Sequence, residues 1–314
     1  MKKNKILLLI TIVIILFFLF KNLININKNE NKSDKLLIVC TTSIIGSIVK
    51  SLLNENNFII EILMGPGIDP HLYKAKSGDI YLLDESKVIF YNGLHLEGKM
   101  VEILENFSKK GKSSYSVTDC LDENELRRSE YENMYDPHVW FDVTLWKKVS
   151  IYIADCLKKN FKEFEKEIEK NCENLCNELD QLNNYIIEKI NKIPINKRVL
   201  ISAHDAFGYF GKRYNLKVEG LQGISTDAEI TVNDIERVVE TVMKYDINTI
   251  FVEKTVPEKY IYGIKDLAKI HGKDVFIGET LYSDSLGEDG SGAETYIKMF
   301  YKNIDAILKG LSNE

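Results

Sequence analysis

Histidine, proline and cysteine are all scarce in this 314-residue chain, at five residues each. The cysteines (Cys40, Cys120, Cys156, Cys172 and Cys176) are odd in number and widely spread, with no C-x-x-C pair. That excludes both a thiolate metal cluster and a complete disulfide framework. No H-E-x-x-H motif occurs, so the commonest zinc-hydrolase signature is missing. Cations are not in excess either: 41 Lys and Arg against 47 Asp and Glu leave a net charge of -6. An acidic balance speaks against nucleic acid as the main partner and makes a cation the more natural ligand. Hydrophobic residues at 45% and charged residues at 28% argue against disorder, collagen and a polytopic membrane protein. The length is sufficient for two domains with real cores.

One long apolar run is present. Residues 6–20 (ILLLITIVIILFFLF) follow Lys2, Lys3 and Lys5 and precede Lys21. A basic start ahead of an apolar run keeps the N-terminus cytoplasmic and sends the remainder across the membrane. The run is short for a bilayer core, although Leu23, Ile24 and snorkelling lysines extend it, so a cleaved signal and a retained anchor both fit its length. No small-x-small cleavage site follows, which favours a retained anchor on the extracytoplasmic face. A lipidated Cys40 is the other option, but Val39 is large and Cys40 lies twenty residues beyond the apolar run. KLLIVC reads better as a first buried strand. The Asn/Lys-rich stretch from Lys21 to Lys35 reads as a tether.

Beyond the tether, short apolar runs alternate with helical patterns. The strand candidates are 36–41, 58–64, 87–92 and 114–117, then 198–203, 216–222, 248–253 and 274–279, with helices between them. Runs apolar on both faces and separated by helices predict parallel, doubly covered sheets. The expected fold is α/β, with two small lobes that each hold a four-stranded parallel sheet. From Leu145 to about Lys192 there is no Gly, Pro or strand signal, and strong helix formers dominate. A long connector helix between the lobes is predicted there. The resulting division is 1–35 anchor and tether, 36–144 first lobe, 145–194 connector and 195–314 second lobe.

Two of the five histidines share one pattern: Asp69-Pro70-His71-Leu72-Tyr73 and Asp136-Pro137-His138-Val139-Trp140. Proline fixes the backbone ahead of each imidazole and holds the preceding Asp extended. His71 and His138 fall beyond predicted strands, His204 directly follows 198–203, and Asp284 follows 274–279. These are carboxyl ends of parallel strands, where open α/β sheets bind ligands. Three imidazoles and one carboxylate, two from each lobe, make a four-ligand set for a divalent transition ion. Glu253 and Glu279 lie on the same edge. As general bases they would support a zinc hydrolase, but a filled coordination sphere favours roles orienting the imidazoles or at the core edge. His95 and His271 read as structural, and Cys172 and Cys176 as a helix face packed on apolar neighbours.

The sequence resembles the zinc/manganese solute-binding proteins of bacterial ABC importers from Lys35 to Leu311. The matching stretches are 64–71 (MGPGIDPH), 91–97 (YNGLHLE), 136–140 (DPHVW), 202–209 (SAHDAFGY) and 283–287 (SDSLG). The resemblance implies zinc or manganese as the transported ligand, bound by His71, His138, His204 and Asp284. It also implies delivery to a membrane permease with its cytoplasmic ATPase, by a chain that is not an enzyme. A monomer is expected, without nucleic acid. A surface adhesin of the same fold is the third reading. Residues 118–135 depart from many zinc-dedicated relatives, because they are acidic and contain no histidine.

Overall fold

The computed structural model describes residues 35–129 and 134–312. The expected anchor, residues 6–20, and nearly all of the tether therefore lie outside the described residues. No described helix is long and apolar enough to cross a membrane.

The first lobe runs β1 (Leu36–Thr42), α1 (Ser43–Leu52), β2 (Phe58–Met64), α2 (Ser77–Glu85), β3 (Val88–Tyr91), α3 (Val101–Lys109) and β4 (Ser114–Ser116). Its strands pair in parallel in the order β2-β1-β3-β4. Ile38, Val39 and Cys40 of central β1 are fully buried, because helices cover both faces. Cys40 pairs with Ile62 on one side and Phe90 on the other, and burial pushes its thiol far above the usual range. It is a core residue. A lipid there would require removal of the first half of the central strand.

Two helices connect the lobes, α4 (Val143–Asn160) and α5 (Glu165–Ile190). Asp142 caps α4 by accepting the Thr144 N–H at 2.9 Å. The chain breaks at Phe161, whose ring turns inward onto Phe58 with centroids 5.1 Å apart. A buried aromatic contact, and not Gly or Pro, thus ends the first helix. The 26-residue α5 is the long connector, and Ile168, Leu175, Leu179, Leu182, Ile186 and Ile190 line its buried stripe. Cys172 is partly buried against that core.

The second lobe runs β5 (Val199–His204), α6 (Gly208–Tyr214), β6 (Lys217–Gln222), α7 (Val232–Lys244), β7 (Thr249–Ile250), α8 (Lys259–Ile270), β8 (Phe276–Ile277) and α9 (Tyr296–Leu311). Here the expected continuous sheet is two parallel ladders, β5-β6 and β7-β8, joined by the Phe251 N–H to Ile201 O bond of 2.9 Å. The last two strands are shorter than the apolar runs predicted. Thr249 pairs with Phe276, but Glu253 pairs with Leu281, so one extra residue is accommodated in the last strand and the ladder is interrupted.

One apolar cluster joins β1, α1, α4, α5, β5 and α9, while smaller clusters fill the outer faces of the two lobes. The lobes thus share a core across the connector. Trp140, Phe141, Trp146, Phe207, Tyr296 and Phe300 are each no more than 1% exposed and pack on one another, Trp146 stacked on Tyr296 and the other pairs edge to face or tilted. Each contributes roughly 1.5–3 kcal/mol by burial.

Candidate metal centre

His71, His138, His204 and Asp284 come together. One ligand atom from each lies within 4.8 Å of all the others, and all four residues are buried. His71 stands on the loop after β2, His138 on the loop after β4, His204 at the last position of β5, and Asp284 beyond β8. Asp284 Oδ2 lies 3.2 Å from His204 Nε2 and 3.9 Å from His71 Nε2, and Oδ1 lies 3.4 Å from His138 Nε2. The Nε2 atoms of His138 and His204 are 3.4 Å apart.

Each D-P-H loop is built the same way. The Asp side chain accepts the N–H of the histidine two residues on, Asp69 Oδ1 from His71 and Asp136 Oδ1 from His138, both at 2.9 Å. Proline between them removes a competing donor and fixes φ. Gly98 then lets the next loop close over the first. Its φ is +42°, and a Cβ there would fall 2.6 Å from the His71 carbonyl oxygen. Asn92 ties that loop to the other motif by donating to Pro137 O at 3.0 Å.

The far nitrogens of two rings face carboxylates, His138 through a hydrogen bond and His204 through an ion-pair contact that lacks hydrogen-bond geometry. His138 Nδ1 lies 2.7 Å from Asp136 Oδ1, and His204 Nδ1 lies 2.7 Å from Glu253 Oε2. A carboxylate at Nδ1 favours the proton there, so that Nε2 is the nitrogen that turns its lone pair to the common centre once the ring is neutral. Glu253 also accepts the His204 N–H at 2.9 Å, so it orients backbone and ring together. Glu279 does not share that role. It is exposed and pairs with Lys309 at 2.6 Å.

Asp284 belongs to the second lobe but is held by the rest of the molecule. Trp140 Nε1 donates to Ser283 O at 3.0 Å, the Gly67 N–H to Ser285 Oγ at 2.9 Å, and the Leu286 N–H to Ser43 Oγ at 2.9 Å. Trp140 also stands edge-on to the His138 ring, centroids 5.2 Å apart.

In the metal-free protein the charges of the cluster are balanced among its own groups. Burial opposes charge on His138, yet Asp136 and Asp284 outweigh it and lift the ring to about 9. His204 is raised well above its usual value in the same way by Glu253 and Asp284. Burial dominates at His71 and holds it down to about 3. Burial would raise Asp284, but the imidazoles of His204 and His138 hold it well below the carboxylate range. His71 Nε2 and both Asp284 oxygens are buried without a hydrogen-bond partner among the described residues. Such atoms are costly unless something of opposite charge engages them. Three imidazole nitrogens and a carboxylate suit a divalent transition ion.

The two histidines read as structural lie away from the cluster. His95 is exposed in a left-handed turn at φ 63° ahead of α3, and His271 caps the C-terminus of α8. Sequence reasoning missed Arg127, which pairs with Asp136 and Asp205, and Thr226, which donates to Asp69 at 2.6 Å. Asp205 follows His204 directly, a signal that was available. Arg127 carries none, because no motif marks it and one of its partners, Asp205, is 78 residues away.

The chain is similar to proteins of known kind over nearly all of its described length. It is 38% identical to the manganese-binding lipoprotein MntA of Bacillus subtilis over 286 residues, covering 90% of this chain and 92% of that protein. It is 29% identical to the metal ABC transporter substrate-binding lipoprotein SloC of Streptococcus mutans, covering 88% and 90%. The solved structure of the periplasmic zinc-binding protein TroA of Treponema pallidum matches with a TM-score of 0.84 and 37% identity, over 88% of this chain and 99% of that one. Residues 38–310 match the family model for the periplasmic component A of the zinc-uptake complex, ZnuA, and the chain belongs to that family.

Proposed function

We propose that His71, His138, His204 and Asp284 capture one divalent transition ion, zinc or manganese, and that the chain hands it to the permease of an ABC importer with its cytoplasmic ATPase. Membership of the family makes the chain a substrate-binding transport protein and not an enzyme. The observation that carries the proposed site is the convergence of four buried ligand atoms within 4.8 Å, with Asp136 hydrogen-bonded to the far nitrogen of His138 and Glu253 in ion-pair contact with that of His204. MntA is named for manganese and TroA for zinc, so similarity supports both ions. Zinc binds more tightly than manganese at nearly any nitrogen-containing site. The two oxygens of Asp284 allow coordination to expand beyond four for manganese.

The protein acts, in this reading, as a monomer outside the cytoplasmic membrane, attached by residues 1–35. The basic and apolar start of the sequence supports export, and the burial of Cys40 in β1 weighs against a lipid at that position. Lobes 36–144 and 195–314 with connector 145–194 remain the proposed division. Equilibrium dialysis of the exported portion against zinc and against manganese tests the function. One tightly bound ion per chain is expected. No tight binding of either ion, or two equivalent sites, overturns it.

A further inference from the structure

Resting on the site reading above, we propose that Arg127 is a positioning residue of the metal centre, setting the separation of His138 and His204 and with it the preference between ions. Its guanidinium spans the two loops that carry them. Nη1 donates to Asp136 Oδ2 at 2.7 Å and Nη2 to Asp205 Oδ2 at 3.0 Å. Asp136 is thereby fully used, since its other oxygen holds both the N–H and the ring Nδ1 of His138. Asp205 is the residue after His204, and its N–H is in turn bonded to Gln222 O at 3.1 Å. A rotation of the Arg127 fork would therefore act on the His138 ring through Asp136 and on the backbone next to His204 through Asp205.

The backbone reinforces this placement. The Asp136 N–H donates to Arg127 O at 2.8 Å, the Arg127 N–H to Tyr209 Oη at 2.8 Å, and Tyr209 Oη to Asp136 O at 3.2 Å. Arg127 and Asp136 are thus held by main chain and side chain at once. The guanidinium lies against the first residue of α6: a Cβ on Gly208 would fall 2.2 Å from Nη1 and 2.3 Å from Cζ. Only glycine leaves that room. The planar fork matters, because a lysine ammonium cannot address two carboxylates from one fixed plane.

Arg127 touches no ligand atom of the site, so its effect runs through Asp136 and Asp205. Loss of such orienting partners typically costs 10–100-fold in metal affinity. The test compares the unaltered exported portion with Arg127→Lys, which keeps the charge, and Asp205→Asn, which removes only the second arm. Zinc and manganese affinities, thermal unfolding and the visible spectrum of the cobalt(II)-loaded protein are measured for each. Arg127→Lys is expected to weaken zinc by about tenfold or more, to change the zinc-to-manganese ratio and to alter the cobalt bands, with Asp205→Asn shifting both readouts in the same direction by less. A purely structural role would lower the melting temperature and leave the ratio and the cobalt spectrum unchanged, and that result overturns the proposal. So do wild-type affinities in both variants. If the unaltered protein binds neither ion, the site reading itself fails; if it binds normally and only the variants behave like it, the failure belongs to Arg127 alone.

Discussion

Residues 69–73 and 136–140 repeat one pattern, yet the two aspartates end in different company. Both hold the N–H of their histidine at 2.9 Å. Asp136 then reaches the His138 ring at 2.7 Å and gives its second oxygen to Arg127. Asp69 instead gives its second oxygen to Thr226 of the second lobe, and the His71 ring faces Asp284 at 3.9 Å. The surroundings differ in step. His138 is fully buried and His71 is 5% exposed, with Leu72 beside it 45% exposed. The shared motif fixes the backbone of each loop; what the spare oxygen meets decides how firmly each ring is held. Of the proposed ligands, His138 is the more firmly held and His71 the less.

Removing whole ligands gives the largest contrast. His138→Ala is expected to weaken zinc binding by more than about 100-fold, beyond the range for loss of an orienting partner, and Asp284→Ala to weaken zinc and manganese alike. His71→Ala should retain measurable binding with a faster off-rate. Competition titration with a chromophoric chelator checks all three, and equal losses in the two histidine variants would erase the proposed difference between loops.

A smaller contrast separates the aspartates. Asp136→Asn should cost 10–100-fold in affinity because the His138 ring loses its charged brace. Asp69→Asn should cost less than about threefold, since an amide oxygen still accepts the same N–H and no carboxylate is lost from the ring. The same titration, run on both variants side by side, decides the order.

Protonation distinguishes the loops as well. The His138 ring is raised to about 9 from 6.5, so its ion pairs stabilise the metal-free protein fully below about pH 6.5, and that contribution is lost as pH rises through about 9. An incoming ion must displace this proton. His71, held down to about 3, has none to give at neutral pH. The gain in melting temperature on adding zinc should therefore be larger at pH 8.5 than at pH 6. Calorimetry in buffers of different ionisation enthalpy should show proton release that survives in His71→Ala and falls in Asp136→Asn. Release lost in His71→Ala would reverse the assignment.

The smallest expected change is one of ratio. His204→Glu exchanges a nitrogen donor for oxygen and should lower zinc affinity more than manganese affinity. An unchanged ratio would mean that His204 does not set selectivity.

The four candidate ligands were legible because their signals are local. Two D-P-H repeats among five histidines stand out, and strand ends can be read from apolar runs. Glu253 was legible for the same reason, ending a strand beside His204. Glu279 was not separable from it by pattern, since the extra residue that opens the ladder near β8 leaves no mark in composition. The break at Phe161 was hidden because neither Gly nor Pro causes it; the contact with Phe58 is over a hundred residues away in sequence. Arg127 was hidden in the same manner, its two carboxylate partners being fixed only once the chain has folded.

Anomalous diffraction from crystals of the zinc-loaded protein, recorded on both sides of the zinc absorption edge, tests the central claim most directly. A single peak per chain is predicted, at bonding distance from the Nε2 atoms of His71, His138 and His204 and from Asp284. A peak elsewhere, or one that leaves any of the three imidazoles outside the coordination sphere, would contradict it.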